Sequence, residues 1–221
     1  MSKINFQPWV GGTYESGGIF KQKILVLGDS HYCAKEEGCR GVLPEECPKH
    51  CPKFTIDVIL QYLNAYDGRG SQQTYLCFER AVMGKELSDE EKIAFWNSIV
   101  FYNYVQTTCL NDPRQAPMAE HYRSSEDAFK ELLETFQPDK IIVWGKRLYN
   151  ALPNWGGYAG KVKISNGDAT DAWHYNINGR DIPAMAVYHP SCPQGKAWEY
   201  WHEFYETFFI NLKLNEYEDN I

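Results

Sequence analysis

The sequence predicts one α/β domain, residues 1–221, arranged as a three-layer sandwich in which helices flank a central four-stranded parallel sheet. Short apolar runs of strand character alternate along the chain with segments of helical apolar spacing. This alternation is typical of a parallel sheet that is covered on both faces. The chain has 221 residues, 43% of them apolar, which suffices for one complete hydrophobic core. The sequence contains no internal repeat and no low-complexity linker that would divide it.

Four apolar runs predict the strands of the sheet. The first, residues 23–28 (KILVLG), is rich in branched residues and ends in glycine. Such continuous apolar runs are expected of parallel strands buried on both faces. The other three lie at residues 99–104 (IVFYNY), 139–145 (DKIIVWG) and 182–188 (IPAMAVY).

Five segments predict the helices. Residues 55–66 have helical apolar spacing, with Thr55 as the expected N-cap. Ser88 and Glu91 form the capping-box pattern that starts the next helix. The others are an amphipathic helix from Ser125 to the residues before Pro138, a short helix at 146–152 and an aromatic-rich helix at 196–214. We expect loops or irregular connections at residues 33–51, 110–123 and 153–180, which are rich in Gly, Pro or polar residues.

Composition limits the classes of function. The net charge of −7 counts against a broad, non-specific nucleic-acid binder, although a local basic groove remains compatible with it. The sequence has no run of about 18 apolar residues and no signal-peptide core near residue 1. We therefore expect a cytoplasmic monomer that does not associate with membranes. Its seven cysteines are then expected to be thiols or metal ligands rather than disulfides.

Three polar side chains follow predicted strands at equivalent positions. Asp29 comes directly after the first strand, Asn103 ends the second, and His189 follows the fourth. Ligands of parallel sheets bind at the carboxyl ends of the strands. We therefore expect an acid, an amide and an imidazole to share one crevice.

The motifs at these positions occur in a familiar order. The chain reads LGDSHY, then a strand ending FYNYVQ, then FKELLETFQPDKIIVWGKRLYNAL, then VYHPS. From about residue 23 to residue 191 it resembles the uracil-DNA glycosylase superfamily, especially the branch whose first motif is a Gly-acid-small-Pro-Gly turn. The resemblance implies cleavage of the N-glycosidic bond of uracil, or of a related damaged or modified base, in DNA. It also implies that catalysis requires no cofactor.

The resemblance assigns a role to each matching residue. Asp29 would position water or stabilise the cationic sugar, and His189, followed by Ser191 in the HPS motif, would stabilise negative charge on the base oxygen. The residues implied to form the substrate pocket are Gly28 in the turn, Tyr32 against the thymine methyl, Phe54 stacked on the base, Asn103 on the pyrimidine edge, and Ser191.

The chain departs from the family pattern at two places. Ser30 and His31 stand in the first motif where a small residue and a proline are usual. The residues after Ser191 lack the apolar side chain that many members wedge into the duplex. The resemblance therefore does not imply base extrusion from double-stranded DNA, and both single- and double-stranded DNA stay open as substrates.

Four cysteines form a cluster in one predicted loop. They are Cys33, Cys39, Cys47 and Cys51, with His31 and His50 among them. Soft ligands within 19 residues predict a structural zinc ion or an iron–sulfur cluster. The alternative is a set of free thiols, because the spacing is irregular and contains no paired C-x-x-C.

Two other functions fit parts of the sequence. A hydrolase of the SGNH or GDSL type would use Ser30 as nucleophile and the D-x-x-H pair of Asp171 and His174 as base, with Asn103 in its oxyanion hole. A glycosylase-like fold without activity would instead bind nucleotides or nucleic acid. A Rossmann-type dinucleotide enzyme is disfavoured, since no G-x-G-x-x-G follows the first strand.

Overall fold

A mixed sheet of seven strands organises the part of the chain described by the computed structural model, residues 2–33, 46–65, 72–110, 116–191 and 198–210. A second, two-stranded sheet lies beside it. In chain order the strands are β1 (Trp9–Val10), β2 (Ile24–Gly28), β3 (His31–Cys33), β4 (Ile99–Asn103), β5 (Thr108–Leu110), β6 (Lys140–Trp144), β7 (Tyr158–Lys163), β8 (Ala169–Ile177) and β9 (Arg180–Val187).

The four predicted strands are the centre of the large sheet. They run parallel in the order β4-β2-β6-β9, so the α/β class is confirmed. The prediction of a sheet with only four parallel strands is wrong. The strand β1 pairs antiparallel with β4 at one edge, and β8 and β7 extend the other edge antiparallel to β9.

The strands β7 and β8 replace the loop predicted at residues 153–180. Their composition is polar because one face of this extension is exposed, so the strands alternate instead of reading as continuous apolar runs. A two-residue turn joins β8 to β9, with positive φ at both Asn178 and Gly179. Asn-Gly is the preferred sequence for such hairpin turns, and it was the signal that could have identified the hairpin.

Two short 3-10 helices, Tyr14–Ser16 and Gly18–Phe20, precede β2. Eight α-helices occur in the described residues: α1 (Cys47–His50), α2 (Phe54–Asn64), α3 (Gln72–Met83), α4 (Asp89–Trp96), α5 (Ala119–Ser124), α6 (Glu126–Phe136), α7 (Lys146–Ala151) and α8 (Trp198–Ile210). All five predicted helices are confirmed. Where the structure describes a bound, it differs from the predicted bound by at most four residues. The helices α1 and α5 replace parts of predicted connections, and α3 lies where no element was predicted. None of these helices combines the length and apolar character needed to cross a membrane.

Two helix starts test the predicted caps. The capping box of α4 is confirmed, since the Ser88 hydroxyl accepts from the Glu91 amide and the Glu91 carboxylate accepts from the Ser88 amide. The prediction that Thr55 caps α2 is wrong, because α2 begins one residue earlier with Lys53 at its N-cap. Thr55 is instead buried inside the helix, where its hydroxyl lies 2.9 Å from the His31 ring.

The core consists of two apolar layers, one on each face of the large sheet. Alternate residues of β2 divide between them, with Ile24 and Val26 on one side and Leu25 and Leu27 on the other. The helices α2, α3, α4 and α8 cover the first face, and α5, α6 and α7 cover the second. This layering leaves the carboxyl ends of the four parallel strands together at one edge.

Candidate active site

The three predicted strand-end residues lie at the same edge of the sheet. Gly28 of β2 is in register with Asn103 of β4. The strands β2 and β9 both pair with β6, so Asp29 and His189 follow strands about 10 Å apart. Burial lowers the pKa of His189, and the charge of Asp29 opposes that shift. The acid and the imidazole are therefore close enough to interact electrostatically.

Gly28 makes room for the amide. A Cβ atom at this position would lie 2.2 Å from Asn103 Oδ1 and 3.0 Å from Phe101 Cζ. The residue is the last of β2, and its φ is not positive. The implied turn role is therefore replaced by a steric one, in which the missing side chain lets Asn103 pack against the strand.

Asp29 is buried, and both of its carboxylate oxygens accept hydrogen bonds. Its Oδ1 accepts a hydrogen bond of 2.8 Å from the Tyr122 hydroxyl, and its Oδ2 accepts from Arg147 Nε at 2.9 Å and from Arg147 Nη2. Tyr32 also contacts the half-exposed Arg147 side chain. The guanidinium balances the buried charge, and two directions of hydrogen bonding fix the orientation of the carboxylate.

The sequence analysis missed both partners of Asp29. Arg147 lies in the first turn of α7, three residues after β6 ends. Extending the strand-end argument to the third predicted strand would have identified it. Tyr122 comes from α5, within a segment assigned to an irregular connection, and its sequence carries no signal of its own.

The His31 ring fills the space between the two residues expected to hold a base. It stacks on Phe54 with ring centroids 4.5 Å apart and an interplanar angle of 15°. The Phe6 ring packs against the same imidazole at 4.8 Å with an interplanar angle of 68°. The Asn103 Nδ2 atom lies 3.1 Å from His31 Nδ1, and the Thr55 hydroxyl lies 2.9 Å from His31 Nε2. Only 4% of the residue is exposed.

The burial of the His31 ring determines its charge. The Asn103 amide N–H can donate to either ring nitrogen, since Nδ2 lies 3.1 Å from Nδ1 and 3.3 Å from Nε2, and the Thr55 hydroxyl can serve Nε2 as donor or acceptor. Burial lowers the pKa of His31 to about 3. The imidazole is therefore neutral at ordinary pH.

His189 presents a donor at the other side of the site. Its Nδ1 accepts from the Ser191 amide at 3.3 Å and lies 2.7 Å from the Ser191 hydroxyl. This arrangement favours the tautomer with hydrogen on Nε2. No hydrogen bond engages Nε2 within the described ranges. A neutral N–H of this kind can donate to an oxygen that gains negative charge.

Only part of the predicted cysteine cluster is described. Cys39 and the Cys33 side chain lie outside the described residues. Cys47 is buried and Cys51 exposed, one helical turn apart at α1. Among the residues with described side chains, no three His, Cys, Asp or Glu groups are placed to hold a metal ion. The zinc or iron–sulfur site stays a prediction.

Asp171 and His174, the acid–base pair of the alternative hydrolase, bind different partners. Asp171 binds Lys146 at 3.0 Å and Lys161 at 2.9 Å. His174, three positions further along β8, pairs instead with Asp181 at 2.9 Å. Residues three apart on a strand point to opposite faces, so the D-x-x-H spacing does not produce an acid–base pair here.

The chain matches no protein-family model and no curated protein. Its function is therefore inferred from the residues of the site and from the motifs that they occupy.

Proposed function

We propose that this chain cleaves the N-glycosidic bond of uracil, or of a related base, in single-stranded DNA. One observation carries the proposal. A flat nitrogen heterocycle, the His31 ring, already stacks on Phe54, and the Asn103 amide lies within 3.3 Å of both of its ring nitrogens. An extruded base requires an aromatic platform and a polar partner, and the pairing of Phe54 with the Asn103 amide supports the proposal.

The chemistry of bond cleavage fits the groups on either side of this ring. When the bond breaks, its electron pair goes to the base and positive charge develops on the sugar. The neutral Nε2–H of His189 would donate to the base oxygen that gains charge, and the Asp29 carboxylate would stabilise the cationic sugar. Water then adds to the sugar carbon, and the base leaves with a proton.

A second function has one observation in its favour. Both oxygens of Asp29 are already engaged, by Tyr122 and by Arg147. A carboxylate neutralised in this way stabilises a cation less than a free one does. This favours a protein that binds nucleotides or nucleic acid at the same site without cleaving them.

A single assay separates the two functions. A single-stranded oligonucleotide with one deoxyuridine is incubated with the protein and then treated with alkali, which breaks the strand at abasic sites. We expect cleavage at the deoxyuridine, reduced about 100-fold or more in His189→Ala and in Asp29→Asn. His174→Ala is the matched control, since that histidine contacts Tyr158 and Asp181 rather than the site.

The results have distinct meanings. Release of uracil that disappears in both site variants supports the glycosylase. Binding of the oligonucleotide without release, weakened by His189→Ala, supports the binding protein. Equal activity in the wild type and both site variants refutes the proposed roles of Asp29 and His189. An ester-cleaving activity lost in Ser30→Ala would favour the hydrolase.

A further inference from the structure

We propose that His31 is an intramolecular occupant of the base site, and that a base enters only after this imidazole leaves. The inference rests on the proposed function, because it concerns the same site, and it names the residue that controls access.

The contacts of the ring are those that a base would make. One face is nearly parallel to Phe54 at 4.5 Å, and the Asn103 Nδ2 atom lies 3.1 Å from Nδ1 and 3.3 Å from Nε2. The Thr55 hydroxyl lies 2.9 Å from Nε2. A planar base with hydrogen-bonding edges would use the same platform and the same amide. Protein interiors have no spare volume of this size, so the two rings exclude each other.

A second aromatic ring packs beside the first. The Phe6 ring lies 4.8 Å from the His31 ring at an interplanar angle of 68°, and it also contacts Phe54, with ring centroids 6.2 Å apart. Phe6 and Phe54 are therefore adjacent walls of the space that the imidazole fills.

The place of His31 in the chain limits the free-energy cost of displacing its ring. His31 begins β3, a strand of three residues that pairs with β5 in the separate small sheet and not with the large one. Displacement of the ring therefore leaves the pairing of the large sheet intact. The ligand must replace two hydrogen bonds and one stacking contact, each of which is worth up to about tenfold in affinity.

Free bases test the proposal directly. His31→Gly removes the occupant and leaves a cavity the size of an imidazole. We expect this variant to bind free uracil and free imidazole, measured by isothermal titration calorimetry, at least tenfold more tightly than the wild type does. Phe54→Ala in the His31→Gly background removes the platform and should abolish the gain. Equal affinity of the wild type and His31→Gly for both compounds overturns the proposal.

His174→Gly is a matched control. The His174 ring also stacks on an aromatic ring, that of Tyr158, at 4.4 Å and 13°. Removing the His174 ring does not open the proposed base site. The His174→Gly variant should therefore bind neither uracil nor imidazole more tightly than the wild type does. A gain of the same size in His174→Gly would show that removal of any stacked histidine suffices, and would overturn the assignment.

A measurement on the wild type covers the case in which His31→Gly does not fold. With ¹³C-labelled histidine, the His31 ring resonance should move to the position of a solvent-exposed imidazole when the protein is saturated with uracil. A ring resonance that stays unchanged in the saturated complex refutes displacement.

Failure of this inference is distinguishable from failure of the glycosylase. If His31→Gly binds uracil more tightly while no variant releases uracil from DNA, the occupant is supported and the enzyme is not. If the wild type releases uracil and His31→Gly shows no gain in binding, the enzyme is supported and the occupant is refuted.

Discussion

Acid should destabilise this protein through His31 by an amount that follows from its burial. Burial lowers the pKa of the folded His31 from 6.5 to about 3. Because the folded value lies below the unfolded one, the stabilisation is complete above pH 6.5 and is lost as the pH falls toward 3. At pH 5 the unfolded chain binds a proton that the folded chain excludes. The free energy of unfolding should therefore fall by about 2 kcal/mol between pH 7 and pH 5, at roughly 1.4 kcal/mol per pH unit below 6.5.

The assay is a comparison of two proteins at two pH values. Urea unfolding of the wild type and of His31→Asn is followed at pH 7 and pH 5, and the pH-dependent losses are subtracted. Groups such as His189, whose pKa is also lowered by burial, contribute equally to both proteins and cancel. We expect the wild type to lose about 2 kcal/mol more than the variant does. Equal losses would mean that His31 is not a buried neutral ring, and the base-site occupant would lose its foundation.

Two further predictions concern the neighbours of this ring. Gly28→Ala places a methyl group 2.2 Å from Asn103 Oδ1, and this crowding should lower the free energy of unfolding in urea by about 1–3 kcal/mol. Gly12→Ala is the control and should cost little, because its Cβ would lie 3.6 Å from the nearest neighbour. Equal costs for the two variants would contradict the steric role of Gly28. Arg147→Met leaves the buried Asp29 carboxylate without its cation and should cost about 1–2 kcal/mol, because the arginine is half exposed. Asp29→Asn in the same chain should restore most of that loss, and a double variant no more stable than Arg147→Met would refute the pairing argument.

The centre of the fold was predictable because its signals are local. Strands buried on both faces are mostly apolar, and the runs that lead up to Gly28 and Asn103 have that property. The edge strands β7 and β8 could not be recognised by the same rule, since one of their faces is exposed. Only the Asn178–Gly179 turn marked the hairpin, and it lay in a segment whose polarity suggested a loop.

The site was predictable to the extent that it follows strand ends. Topology alone brings the residues after parallel strands to one edge, so Asp29, Asn103 and His189 could be grouped from the sequence. Their partners depend on packing between elements that are distant in the chain. Nothing near Tyr122 in the sequence indicates that its hydroxyl reaches Asp29, 93 positions away.

The α/β class, the central strands and the polar groups at their ends could be predicted from the residues, because these features depend on residue type and spacing within short segments. The pairing of the Asp29 carboxylate with Arg147 and the stacking of His31 on Phe54 beside Asn103 appear only in the folded chain. These contacts depend on distances between side chains from different elements, and those distances exist only after the sheet, its helices and the small second sheet have packed together.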